Sequence, residues 1–212
     1  MNTSFPVPFY PNTPDNTHCF QACLRMVLKY FQPDKDYSWK ELEVISAKKE
    51  GLWTWPTAAM MWMKNRGFDV KDIEMFDYDE FVKDGEKYLR KLYGTEAGNE
   101  QIKHSDIAQE IDYAKQFLKL NAVTKEIPTK ETLKELLKEK YLLMCLINAQ
   151  RLDHESGYVG HFVIVKGFCE NEFIIHDPGL PPMENRKVSI AEFEAAWAFP
   201  NERAKNVMAF RL

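Results

Sequence analysis

The pattern of apolar residues changes near residue 140, and that change constrains the fold more than any other feature of the chain. Before it, apolar residues recur at helical spacing. Phe20, Cys23, Leu24, Val27, Leu28 and Phe31 fall three and four apart, which predicts a helix over 18–31. Thr17 is placed to cap its start, and Pro33 ends it. A second helix, 38–49, opens at Ser38, with Glu41 three residues on to complete a capping box. A third spans 57–66 and closes at Gly67. From Asp77 to Lys140 the stretches YDEFVKDGEKYLRKLY, HSDIAQEIDYAKQFLKL and TKETLKELLKEK are charged and helical, most simply a solvated face.

After residue 140 the texture is different. YLLMCLINAQ, HFVIVKGF and EFIIHD are short, rich in branched and aromatic residues, and separated by turn signals, so they read as strands. SIAEFEAAW is a helix opened by Ser189, and NVMAFRL a closing strand. The order predicts an α+β fold in which a helical first part precedes an antiparallel sheet. The 212 residues divide into a helical lobe (1–69), a helical insertion (70–140) and a sheet lobe (141–212) within one domain. The prolines of MNTSFPVPFYPNTP suggest an extended arm that meets the fold before residue 15.

Charge and composition narrow the function. Acids outnumber bases, 32 to 28, and the net charge of −4 leaves no basic excess to displace counterions, so nucleic acid is not an expected partner. No stretch approaches the roughly 18 to 20 apolar residues of a membrane span, so no membrane partner is expected either. The N-terminus lacks the pattern of a signal peptide. Cys19, Cys23, Cys145 and Cys169 are therefore expected as free thiols in a reducing cytoplasm.

One thiol stands out by position. The reactive form of cysteine is the thiolate, and a helix N-terminus favours negative charge through its unpaired N–H groups and macrodipole. Cys19 lies in the first turn of the first helix, whereas Cys23 is a turn deeper. A nucleophilic thiol also needs a base, and the base needs an orienting partner. Among the five histidines, His161 opens a strand after the loop SGYVG. His104 reads as a surface residue, His154 as part of a polar loop, and His18 as too close in sequence to turn its ring onto Cys19. A hairpin centred on Cys169 would set Asp177 opposite His161, to hold its tautomer and stabilise the imidazolium. Strand alternation sends His176 to the other face.

Cys19 at a helix start, His161 at a strand start and Asp177 on the next strand resemble the papain-like cysteine peptidase superfamily. The likeness is closest to the bacteriocin leader (double-glycine) peptidase-like families. HCFQACLRMV matches their nucleophile motif at Cys19, Ala22, Cys23 and Leu24. GHFVIVKGF and IIHDPG resemble their histidine and aspartate strands, and AEFEAAW the helix that follows. The resemblance covers residues 12–31 and 141–212 and implies a two-lobe fold with the site between the lobes. It departs at His18 and Phe20, where the family has an acid and a glycine. It departs again at Thr13, where the family has the glutamine that donates to the oxyanion. Asn12, Thr13 and Asn16 are the candidates for that role beside the Cys19 backbone N–H.

The expected activity is acyl transfer through a thioester, with hydrolysis of a peptide or isopeptide bond as the default outcome and no metal or organic cofactor. The expected partner is a peptide or acyl-amide substrate. Transfer of the acyl group to an amine is the nearest rival, and a catalytically silent peptide-binding relative the next. Zinc held by His18, Cys19, Cys23, His161 and Cys169 lacks the regular spacing of such sites. The remaining thiols read as core or turn residues. WTWP and MMWM read as core, the alternative being that they line a groove beside Cys19.

Overall fold

The computed structural model describes residues 3–212. In chain order the elements are β1 (Thr3–Ser4), α1 (Cys19–Phe31), α2 (Trp39–Ile45), α3 (Thr57–Lys64) and β2 (Asp69–Glu74). Next come α4 (Tyr78–Asp84), α5 (Glu86–Tyr93), α6 (Thr95–Lys103), α7 (Ile107–Phe117), β3 (Val123–Lys125) and α8 (Lys130–Lys138). The last part holds β4 (Leu142–Asn148), α9 (Ala149–Leu152), β5 (Gly160–Cys169), β6 (Glu172–Asp177), β7 (Met183–Ser189), α10 (Ile190–Trp197) and β8 (Asn206–Arg211). The fold is α+β, with ten α-helices and an eight-stranded sheet among the described residues.

The sheet order is β3-β2-β8-β4-β5-β6-β7, with β1 beside the far half of β5. Only β2 and β3 pair in parallel; every other neighbouring pair is antiparallel. α1 buries Leu24, Val27 and Leu28 completely and packs on β5. Its apolar stripe therefore seats the first residue of the helix against the start of that strand.

The N-terminal arm is tied down as its prolines suggest. β1 pairs with β5, Phe5 N–H donates to the Lys166 carbonyl, and Asn12 N–H donates to the Pro178 carbonyl at 2.8 Å. Gly167 is required here. A Cβ at that position would lie 2.2 Å from the Thr3 carbonyl oxygen, so only glycine lets the arm approach.

The capping box at Ser38 forms as predicted, and Ser189 opens its helix as expected, there too with a capping box, to Glu192. Three expectations need correction. The N-cap of α1 is His18, not Thr17, and its side chain makes no cap bond, because the Thr17 hydroxyl is held on the His18 ring. Segment 70–140 is not wholly helical: β2, which starts one residue before it, and β3 join the sheet through β8, so the sheet crosses residue 140. β7 is a further strand with no alternating apolar pattern, since its polar sequence MENRKVS lies at the sheet edge.

Candidate active site

The hairpin of β5 and β6 brings His161 and Asp177 together by a different register from the one the sequence suggests. The turn lies at Glu170 and Asn171, one residue and a half beyond the expected centre, and Cys169 pairs with Glu172. That register alone would set Asp177 beside residue 164, on the wrong face for His161. A β-bulge between Val165 and Gly167 adds one residue to β5 and restores the face, since Ile164 then pairs with His176. His161 Nε2 meets Asp177 Oδ1 at 2.7 Å, with both residues buried.

Asp177 is held from three sides. Its Oδ1 also accepts the Gly179 N–H at 3.0 Å, and its Oδ2 accepts from Arg186 Nη1 at 2.8 Å. Gly179 sits so close that a Cβ there would lie 3.0 Å from Asp177 Oδ1 and 3.4 Å from His161 Nε2. Arg186 is a residue the sequence reading missed. It lies on β7 and reaches Asp153 Oδ1 with its other nitrogen, also at 2.8 Å. Burial would raise the Asp177 carboxyl; its bonds with His161, Gly179 and Arg186 outweigh that and hold it down to about 2.

Cys19 completes the group. It is half-buried and lines the same cleft as His161, whose ring acts on its thiol. Burial alone would raise the Cys19 thiol. The hydrogen bond and charge of His161, with the backbone N–H groups of Phe162 and Phe20, outweigh it and hold the thiol below the ordinary cysteine value. His161 moves the other way: burial would lower it, but the bonds to Asp177 and Cys19 bring it up to about 10. Both shifts run in the direction that favours a thiolate beside an imidazolium.

The other candidates separate clearly. Asn12 is buried, and its Oδ1 accepts from the N–H groups of His18 and Thr13, which fixes the entry into α1. Its Nδ2 donates to Asn16 Oδ1 at 2.8 Å. The Thr13 hydroxyl is engaged with Asp15 and the His18 ring. Asn16, at φ +58°, lines the cleft with Cys19, and its own Nδ2 has no partner among the described residues. Of the three, Asn16 is the one that offers a donor to the cleft.

The remaining histidines and thiols lie elsewhere. The His18 ring turns to Glu43 at 2.9 Å, His154 is exposed beside Glu192, and His176 is buried against the Val7 carbonyl. Cys23 donates to the Phe162 carbonyl and is pushed well up by burial. Cys145 is wholly buried, and Cys169 sits at the hairpin turn.

A cleft of about 270 Å³ opens beside Cys19 and His161. Trp53 and Trp55 line it, so WTWP forms a wall of the site, and Trp55 also packs against the core, stacked on Phe81. In MMWM, by contrast, Met60 and Met63 are core. His104 is not a free surface residue: its ring stacks on Trp53 at 4.9 Å. The middle segment supplies Asp72, Glu74, Tyr78 and Gln101 to the same cleft. Asp72 and Glu74 stand two apart on β2, while Tyr78 comes from α4 and Gln101 from α6.

Two solved structures are similar to the chain. The peptidase domain of Streptococcus ComA, a bi-functional ABC transporter involved in a quorum-sensing pathway, is 14% identical. That alignment covers 95% of this chain and 96% of the other, with a TM-score of 0.49. A chain described as a C39-like peptidase from Bacillus anthracis is 17% identical, covering 100% and 98%, with a TM-score of 0.48. No curated protein matches. A sequence model of a different family from the leader peptidases spans residues 14–201, from before α1 to beyond α10. On that match the chain belongs to the family described as guanylylate cyclase.

Proposed function

We propose that the protein is a thiol-dependent acyl-transfer enzyme of the papain-like kind, hydrolysing a peptide or isopeptide bond. The observation that supports this reading is the convergence of Cys19, His161 and Asp177, with the thiol held below its ordinary value. The Cys19 thiolate attacks the carbonyl carbon, and the carbonyl π electrons move to oxygen. The backbone N–H of Cys19 and the Asn16 amide stabilise that oxyanion. His161 then gives its proton to the departing amine, leaving a thioester on Cys19. Water attacks the thioester as His161 takes a proton back, and the acid leaves with the thiol restored. Asp177 holds the imidazole, and Arg186 holds Asp177. The four free thiols fit a reducing cytoplasm.

Transfer to an amine uses the same first half and differs only in what attacks the thioester. The family's description points to another chemistry, attack of a ribose hydroxyl on a guanine nucleotide's phosphate, in which the thiolate–imidazolium pair has no assigned role. Turnover of activated acyl esters tests the reading. Hydrolysis is expected in the native protein and lost in Cys19→Ala, while an added amine that captures product would mark a transferase. Cyclic product from GTP in the Cys19→Ala protein, with no ester turnover in the native one, would overturn it.

A further inference from the structure

The cleft beside Cys19 ends in a group that the reaction above does not use. Asp72 and Glu74 alternate along β2, so both side chains meet one wall of the cleft. Asp72 is 2% exposed. The Tyr78 hydroxyl lies 3.0 Å from Asp72 Oδ2 and 2.8 Å from Glu74 Oε1. One hydroxyl carries one proton and cannot donate to both. No lysine, arginine or histidine among the described residues forms an ion pair with either acid. Burial, with the charge of Glu74, pushes Asp72 well up, and burial brings Glu74 to about 6. Both shifts favour a proton on the pair, and one hydroxyl between two carboxyls leaves it open to a cation.

A second, separate observation points the same way. Gln21 of α1 lines the cleft and is fully buried. Its Nε2 donates to the hydroxyls of Ser46 and Thr54, while its Oε1 accepts from nothing among the described residues. An unpaired buried acceptor is costly, so its place on a ligand cleft asks for a donor. Trp53 and Trp55 supply aromatic wall to the same cleft. Aromatic faces and carboxylates together suit a cation on an apolar stem.

The span sets the length of that stem. Glu74 pairs with Asn206 of β8, whose side chain bonds the Leu146 backbone of β4, and Leu146 pairs with Phe162 of β5. Phe162 is the residue whose N–H supports the Cys19 thiolate. From β2 to β5 is therefore three inter-strand spacings, roughly 14 Å. The side chains of Glu74 and Cys19 cover part of that distance from either end, and a long cationic side chain covers the rest.

We infer that the carboxyl pair Asp72–Glu74, with Tyr78 and Gln21, is a specificity site for a lysine or arginine side chain of the acyl substrate. The inference rests on the acyl-transfer reading for its substrate but not for its binding. Binding a cation there displaces the shared proton to solvent, so affinity rises with pH through the range where Glu74 titrates.

Two measurements separate the site from the reaction. The first compares kcat/KM for the 4-nitrophenyl esters of Nα-acetyl-lysine, Nα-acetyl-arginine and Nα-acetyl-norleucine. A preference for the cationic esters of at least about tenfold is expected, falling toward unity in Glu74→Gln and, as an independent variant, in Asp72→Asn. Equal rates for lysine and norleucine, or a ratio untouched by both variants, would overturn the inference while leaving the acyl-transfer reading intact. The second is calorimetry of Nα-acetyl-lysine methylamide with the Cys19→Ala protein at pH 5.5 and 8. Tighter binding at pH 8, with proton release, supports the site even if no ester turns over. Absence of binding at both pH values, or tighter binding of GMP than of the lysine amide, would overturn it.

Discussion

Asp177 Oδ1 lies 2.7 Å from His161 Nε2 because β5 contains one residue more than a regular hairpin would allow. The bulge between Val165 and Gly167 sets which face Asp177 occupies, and the same stretch receives the N-terminal arm through Lys166 and Gly167. The arm in turn bonds the Pro178 carbonyl through Asn12, next to Asp177. Positioning of the aspartate and anchoring of the segment before Cys19 are thus one piece of structure.

Asn16→Ala removes a side-chain donor from the cleft without touching the thiolate–imidazolium pair. Acyl-ester turnover is expected to fall by about 10²–10³, as for loss of an oxyanion donor. Alkylation of Cys19 develops no oxyanion, so its rate should stay within twofold. A parallel loss of both would show that Asn16 shapes the thiol rather than the transition state.

Arg186→Met frees one oxygen of Asp177. The carboxyl should rise from about 2 toward the ordinary aspartate range, and its hold on the imidazolium should weaken. The expected result is a fall in kcat of about tenfold, the equivalent of one pKa unit, with KM little changed and the acid limb of the rate profile moved to higher pH. Arg186→Lys should restore part of the loss, since an ammonium can reach Asp177 but cannot bridge to Asp153 as a fork does. An unchanged acid limb would limit Arg186 to holding β7 in place.

Glu110, buried on α7, is pushed up to about 7 mainly by burial. A carboxyl raised in the folded state favours folding most below its unfolded value near 4.5, and that contribution is lost as pH rises toward 7. Glu110→Gln should therefore leave stability unchanged near pH 4 and raise it by about 1–3 kcal/mol at pH 8. Urea unfolding at the two pH values reads the difference. Equal effects at both would show that the ionisation is not what the burial opposes.

Gly167→Ala places a methyl carbon 2.2 Å from the Thr3 carbonyl, and backbone has little room to give. A loss of about 1–3 kcal/mol is expected. Hydrogen exchange should rise first at the Phe5 and Val7 amides, since their segment is what must move. Protection unchanged at those amides would mean that β5 yields instead.

The sequence carried much of this arrangement and hid the rest for identifiable reasons. α1 announces itself because Leu24, Val27 and Leu28 repeat at helical spacing and all face the sheet. β4 and β5 do so through runs of buried branched residues. The pairing of His161 with Asp177 survives an error in turn position because a register shift of two preserves the face, and the bulge makes the shift two rather than three. β2 stayed invisible because its buried alternate positions include Asp72, so the polar cleft lining masks the strand pattern. Arg186 was missed because β7 is a polar edge strand whose only signal is what it touches. Trp53 and Trp55 look like core residues in any sequence; what makes them cleft residues is the position of the loop that carries them.

In the proposed mechanism Cys19 is a thiolate because His161 is beside it. The direct measurement is the rate of iodoacetamide labelling at each cysteine between pH 4 and 9, resolved by mass spectrometry, for the native protein and His161→Ala. The expected result is rapid labelling of Cys19 well below pH 8, a shift of that labelling to the ordinary thiol range in His161→Ala, and protection of Cys23 and Cys145 throughout. Labelling of Cys19 only above pH 8 in the native protein, or a profile that His161→Ala leaves unmoved, would contradict it.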